Sequence, residues 1–291
     1  TGERHDRSRL AMAYEFAIKR IARIYPIYWI ALIVALLIYP TITMVEDWFP
    51  RSELWKLYLL VEQRNFLILA AWTLVYEVFF YAGVLVILLI APQRVFLGLV
   101  VWSALAVGTV AFAAITDPAL LGSVPFSPLL FEFSLGALVA YLIRKRVTAY
   151  PIGAIALGII LFVIGGELNR NFGSWQTYER TLAFGPASAI IIYGVLATEL
   201  RYGWTFAKPW QILGDASYSI YIWHQLMLFS LLYLYTQSGL AASIPGPILL
   251  MVTILMVIGF GVLSYYRIER PLQRTVQNFA LGALSRRKQA T

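Results

Sequence analysis

Cysteine is absent from the 291 residues, which excludes a disulfide framework, thiolate metal sites and a cysteine nucleophile. Histidine occurs twice, and charged residues make up 13% of the chain, about half the roughly 25% of an ordinary soluble domain. So little charge cannot clothe a water-facing surface of this size, so a soluble sugar- or nucleotide-binding domain has no room beside the apolar runs. What is present instead is apolar: 60% of residues are hydrophobic and the mean hydropathy is +0.73. That surface cannot be hidden in one core, so the solvent for most of it must be lipid.

A membrane-crossing helix needs about 20 mostly apolar residues. Eight segments reach or approach that length: Ile24–Met44, Leu67–Ala91, Val95–Ile115, Phe126–Ile143, Ile152–Gly166, Leu182–Leu200, Ile212–Tyr235 and Ile248–Tyr266. The fifth is the shortest. Helices are expected because long unbroken runs can satisfy their backbone groups internally in lipid. The predicted fold is an all-α integral membrane protein, a polytopic bundle of about eight transmembrane helices. With no internal repeat or low-complexity linker, the runs form one domain over 24–272, after a basic amphipathic segment at 1–23 and before a basic tail at 273–291.

The net charge of +8 could suit nucleic acid, but its distribution suits a bilayer. With the N-terminus inside, 18 Lys and Arg fall on the inner side and five, Arg51, Lys56, Arg64, Arg170 and Arg180, on the outer. Basic loops stay in the cytoplasm, so the expectation is a multi-pass protein of a bacterial inner membrane with both termini cytoplasmic and no nucleic acid partner. An even number of spans keeps that alternation. The chain opens at Thr1 in a polar stretch without signal-peptide features.

Ionisable side chains inside a span cost several kcal/mol unless they face protein or water, and are functional candidates by default. Glu77 lies ten residues past Leu67, about 15 Å into the membrane at 1.5 Å per residue. Thr73 and Tyr81 share its helix face by their spacing of four. Glu77 is either a group that ties helices together by hydrogen bonds or one that serves catalysis or transport. His224 ends a stretch in which Gly214 and Asp215 read as a helix start, with Asp215 at the N-cap. Ser217, Tyr221 and His224 then form a polar stripe running inward, as a pocket wall would. Glu132, near the outer face after Pro125 and Pro128, reads as structural. Arg20 and Arg23, three apart before the first span, are topology anchors or a phosphate clamp, since Arg binds phosphate bidentately. After the last span, Glu269 reads as paired with an Arg at the cytoplasmic edge. No cluster of metal ligands stands out.

Four stretches together resemble the acyltransferase 3 family of integral membrane acyltransferases. They are Lys19-Arg20-x-x-Arg23-Ile24-x-Pro26-x-Tyr28-Trp29; Trp72-Thr73-Leu74-x-Tyr76-Glu77 with Phe80-Tyr81; Leu213-Gly214-x-x-Ser217-Tyr218-Ser219-x-Tyr221 with His224; and Glu269-x-Pro271. Each is weak alone, but their order and spacing cover nearly the whole chain. The wording from Trp72 to Glu77, and Glu132-Phe133-x-x-Gly136, are most similar to the branch that acetylates exopolysaccharide or O-antigen.

The resemblance implies transfer of an acyl group, acetyl above all, from cytoplasmic acyl-CoA to a hydroxyl of a cell-surface or lipid-linked glycan, with no tightly bound cofactor. It implies Lys19, Arg20 and Arg23 beside the CoA phosphates, Glu77 and His224 as catalytic groups, and Trp72, Tyr76, Ser217, Tyr218 and Tyr221 along the pocket. Glu132, Glu269 and Pro271 would be structural. The family pattern has Arg where Lys19 stands, which keeps the charge but loses the bidentate fork. Its ten core helices begin with one bearing an Arg and a histidine taken to act in catalysis, then one with a Ser-Gly-Phe element. Neither precedes Phe16, so the resemblance implies a chain lacking its first two helices. His5, in a polar stretch, is expected to be a solvated residue and no substitute. The rival reading is a transporter or flippase using Glu77 and His224 as proton-relay groups, which predicts inverted repeats with interrupted helices; none is visible. A membrane scaffold would leave the midplane Glu without purpose.

Overall fold

The computed structural model describes residues 2–43, 54–61, 67–172 and 177–289. Thr1, Met44, Arg51 and Arg64 lie outside the described residues, as do the side chains of Arg4, His5, Arg7, Arg286, Arg287 and Lys288. Among the described residues every regular element is helical. The helices are α1 (Gly2–Thr43), α2 (Leu54–Tyr58), α3 (Trp72–Ile90), α4 (Val95–Thr116), α5 (Leu130–Arg144), α6 (Pro151–Phe172), α7 (Thr177–Tyr202), α8 (Lys208–Asp215), α9 (Ser217–Gln237), α10 (Leu240–Ser243), α11 (Gly246–Ser264) and α12 (Arg270–Gln289).

Seven of the eight expected spans overlap one long helix each, and Ile212–Tyr235 is divided between α8 and α9. Among the described residues, six stretches are long and apolar enough to cross a membrane: Arg9–Tyr39, Leu69–Ile90, Pro92–Thr116, Pro151–Arg170, Glu179–Tyr202 and Gly246–Gly282. The other two expected spans fall short of that standard. Helix α5 has 15 residues, about 22 Å at 1.5 Å per residue, and α9 carries Ser, Tyr, His and Gln through its first half. The count of eight spans is therefore not established, although the all-α membrane fold is. Large apolar side chains such as Ile160, Val163 and Ile164 of α6 and Leu250, Met251 and Leu255 of α11 are exposed, and lipid is the solvent that tolerates them.

Two expectations about local structure change. Asp215 does not cap α9; it is the last residue of α8, and Ala216 joins the two helices without a side-chain cap bond. A helical start was expected there because Gly-Asp precedes an apolar run, but the chain is already helical from Lys208. The basic segment ending at residue 23 is also no separate element, because α1 continues through it as one helix of 42 residues, about 63 Å long.

The chain divides into two compact units, Thr1–Val78 with Ala207–Thr291, and Phe79–Phe206. In the first, α1 buries Ile24, Ile27, Tyr28, Ala31, Leu32 and Ala35, a stripe at the 3.6-residue period. Helix α9 packs against α1 and α11, and α12 packs against α1. Contact between α9 and α11 is close because Gly261 has no side chain: a Cβ there would stand 2.8 Å from Ile220 Cα. A π-helical turn, Tyr265–Glu269, joins α11 to α12 just before Pro271. Proline has no N–H and its ring clashes with the carbonyl four residues back, so a widened turn ahead of it relieves that conflict.

In the second unit, α6 packs along α7. A Cβ on Gly194 would meet Pro151 O at 2.7 Å and Ile155 N at 2.8 Å, so the two backbones touch there. Phe80 stacks on Phe133 with centroids 4.7 Å apart, and Ser103 donates to Ser134 at 2.7 Å, joining α4 to α5.

Candidate active site

The first unit gathers most of the residues singled out in the sequence. Its base is the aromatic run after Arg23. Tyr28 donates to Leu57 O at 2.7 Å, Trp29 Nε1 to Tyr58 O at 2.9 Å, and Tyr25 to Leu59 O at 3.2 Å. One face of α1 donates to three carbonyls in a row at and just beyond the end of α2, of which Leu57 O also accepts from Leu60 N at 3.1 Å. The run thus has a concrete structural task, which is to hold the segment at 54–61 against α1.

Helix α9 carries the polar groups. The buried Tyr218 hydroxyl donates to Ile24 O at 2.9 Å, in the apolar stripe of α1. Ser219 Oγ donates to Glu269 Oε2 at 2.6 Å, both groups being buried, and Trp223 Nε1 donates to Ser264 Oγ at 2.8 Å. These bonds tie α9 to α1, the π-helical turn and α11. Further along, the Tyr221 hydroxyl donates to Ala70 O, and Thr73 Oγ1 lies 2.5 Å from the same hydroxyl. Gln225 Oε1 accepts from Ala70 N at 3.1 Å. The 3₁₀ turn Leu69–Ala71 that leads into α3 is thereby pinned to α9 from two sides.

Charge runs along this file. The Glu77 carboxylate acts electrostatically on both Tyr218 and Tyr221. Arg23 acts on Tyr218 and on Glu269. Glu269 thus has a serine hydroxyl on one oxygen, with the Arg23 charge acting on it from α1. Burying a carboxylate costs several kcal/mol unless it is paired and hydrogen-bonded, and at 5% exposure the Ser219 bond offsets part of that cost.

His224 is half-buried. Its Nδ1 lies 2.6 Å from Tyr221 O, and its ring is 5.7 Å from that of Tyr221. A carbonyl only accepts, so Nδ1 carries the proton of the neutral ring and Nε2 keeps the lone pair. The imidazole is therefore held in the tautomer that can take up a proton at Nε2.

Other candidates are placed less centrally. Ser217 is exposed, whereas Tyr218 and Ser219 are buried, so the buried polar face of α9 is turned from the stripe expected at 217, 221 and 224. Trp72 is exposed and packs edge-on against the buried Tyr76 at 5.9 Å. Lys19 makes an exposed ion pair with Glu15 at 2.6 Å. The Arg20 guanidinium sits 5.4 Å from the Phe16 ring centre. Thr73 bonds Tyr221 and Ala70. Glu132 belongs to the second unit, where it lies over Gly185 and feels Arg180. Pro271 is exposed and accepts from Thr275 at 3.0 Å.

Ser219 and Gln225 were not singled out beforehand. Ser219 lies inside a quoted motif, and the spacing of Tyr218, Ser219, Ile222 and Trp223 marks one helix face. Gln225, one residue past His224, had no such signal. Among the described residues no group of three His, Asp or Glu is gathered to hold a metal.

A family model described as an acyltransferase domain matches residues 6–266 of the chain. The exopolysaccharide production protein ExoZ of Rhizobium meliloti (strain 1021) is 26% identical over 284 residues, covering 89% of this chain and 81% of the relative. No solved structure matches.

Proposed function

Since the chain belongs to the acyltransferase 3 family, we propose that it moves an acyl group, acetyl above all, from cytoplasmic acyl-CoA to a glycan hydroxyl. That it is an acyltransferase and a multi-pass membrane protein follows from the family and the apolar helices. The acceptor we propose is exopolysaccharide or its lipid-linked precursor, because the relative is an exopolysaccharide production protein. The location is a bacterial inner membrane with both termini cytoplasmic, on the distribution of Lys and Arg. The observation that carries this reading is the polar face of α9, where Tyr218, Ser219, Tyr221 and His224 make their hydrogen bonds, in a chain matched over residues 6–266.

In the proposed reaction His224 Nε2 takes the proton of a glycan hydroxyl as its oxygen attacks the thioester carbonyl. The carbon–sulfur bond breaks, and the leaving thiolate takes the proton back from the imidazolium to give free CoA. Glu77 is the second catalytic group of the proposal, orienting the base that acts on the acceptor. Arg20 and Arg23, with Lys19, hold the phosphates of the donor. Trp72, Tyr76, Ser217, Tyr218 and Tyr221 line the way between donor and acceptor.

The test is label transfer. Membranes containing the chain, given acetyl-CoA labelled in the acetyl group and lipid-linked glycan, should place label on the glycan and release one CoA per acetyl. Glu77→Gln and His224→Gln should abolish transfer while leaving membrane levels intact. Normal transfer in either variant would remove that residue from the mechanism, and glycan labelling without CoA release would end the acyl-CoA donor.

A further inference from the structure

The second unit has a cleft that acyl transfer does not use. The loop between α5 and α6 folds against the end of α7, leaving an open cleft of about 560 Å³ lined by Ala149, Tyr150, Pro151, Ile152, Gly153, Arg201 and Tyr202. Space of that size accommodates a small-molecule group.

The loop is built to hold its shape. Arg146 and Tyr150 take left-handed backbone conformations, with φ of 56° and 46°. Side chains rarely adopt these without support from their surroundings. Support comes from α7: Tyr193 donates to Ala149 O at 3.0 Å and Arg201 Nη1 to Thr148 O at 3.3 Å. The touching backbones at Gly194 and Pro151 brace the same end. Proline at the start of α6 leaves the first-turn N–H groups of Ile152 and Gly153 at the cleft.

Arg201, Tyr150 and Tyr202 give the cleft a basic and aromatic lining, and more basic residues precede its loop in the chain. Arg144, Lys145 and Arg146 close α5, and no ion pair to a carboxylate is recorded for them or for Arg201 among the described residues. Glu199, in the last turn of α7, bonds Gly203 through its backbone carbonyl and makes no ion pair. Arg201 lies over the Tyr202 ring at 5.5 Å and Lys145 over Tyr141 at 5.8 Å. Tyr150 is 84% exposed, and Tyr202, Trp204 and Phe206 are exposed beside it. Exposed Tyr and Trp next to Lys and Arg mark the headgroup level of a bilayer. Basic pockets between membrane helices on the cytoplasmic side suit anionic lipid headgroups.

We propose that this cleft binds the phosphate headgroup of an anionic phospholipid, with Arg201 facing the phosphate, the exposed Arg144–Arg146 cluster at the head of the same loop adding positive charge, and the exposed aromatic rings seated among neighbouring lipids. Arg201 uses one of its five donors on Thr148 O, and a planar guanidinium suits a phosphate. The proposal concerns the second unit alone and does not depend on the acyl donor or acceptor.

The full chain, purified in neutral detergent, is heated with added phosphatidylglycerol, phosphatidylcholine or sodium phosphate. Phosphatidylglycerol at ten times its dissociation constant should raise the melting temperature by about 3–5 °C. The other two should leave it within about 1 °C. In Arg144→Gln/Arg146→Gly, which removes two exposed guanidiniums and one strained conformation, the rise should fall by at least half. In Arg201→Gln it should vanish. If Arg201→Gln fails to fold, the double variant decides alone. An undiminished rise in the double variant overturns the proposal. An equal rise with phosphatidylcholine or sodium phosphate also overturns it, because the ligand would then be any lipid or a free anion.

Discussion

Replacing Ser219 by alanine removes one hydroxyl from a fully buried site and takes from Glu269 its side-chain donor, the Ser219 backbone N–H remaining beside the carboxylate. Hydrogen bonds between helices in a membrane bundle average about 0.6 kcal/mol in double-mutant cycles. A bond to a charged acceptor is roughly twice as strong as a neutral one. The Ser219–Glu269 coupling should therefore be about 1–1.5 kcal/mol. Ser219→Ala alone should cost more, about 1.5–3 kcal/mol, because the carboxylate stays buried and loses a partner. The assay is reversible unfolding in mixed micelles of mild and denaturing detergent, on the wild type, Ser219→Ala, Glu269→Gln and the double variant. Arg23 remains in all four, so its attraction to the carboxylate cancels from the coupling. A coupling below about 0.3 kcal/mol would refute the reasoning, since the bond would then contribute no more than the water or backbone contacts that replace it.

Three further outcomes follow from the same geometry. Tyr28→Phe deletes one of the two donors to the buried Leu57 carbonyl, the Leu60 N–H remaining, and should cost about 0.5–1.5 kcal/mol, with faster proteolysis of the segment at 54–61; unchanged protease resistance would count against the tether. Gly194→Val sets a side chain against the backbone of α6 and should lower the melting temperature by several degrees, while Gly214→Val, where a Cβ meets nothing within 4 Å, should leave stability unchanged or raise it by a few tenths of a kcal/mol, because valine is the better helix former by about that much. Arg20→Ala and Arg23→Ala should each weaken binding of a CoA analogue by about tenfold and flatten its salt dependence. Only Arg23→Ala should also destabilise the fold, because Glu269 and Tyr218 feel that charge; unchanged, salt-insensitive binding would dismiss the clamp.

Much of this protein is decided by local pattern. A run of about 20 apolar residues satisfies its own backbone only as a helix in lipid, so the position of nearly every long helix is written in composition alone. The motifs are local too, and their order along the chain placed it in its family before any contact was known. Boundaries were less legible where two helices meet: Gly214-Asp215 has the chemistry of a start, yet the chain was already helical.

The partners were another matter. Ser219 is 50 residues from Glu269, and Gln225 is 155 residues from Ala70. Which hydroxyl meets which carboxylate depends on how helices rotate and how closely they approach, as Gly261 lets α9 approach α11. A helix face can be counted from sequence, but which face is buried is set by its neighbours. So Arg23, read in isolation as a membrane anchor or phosphate clamp, became also a charge acting on a buried Glu269, and the scarce charges came within reach of one another only when the helices packed.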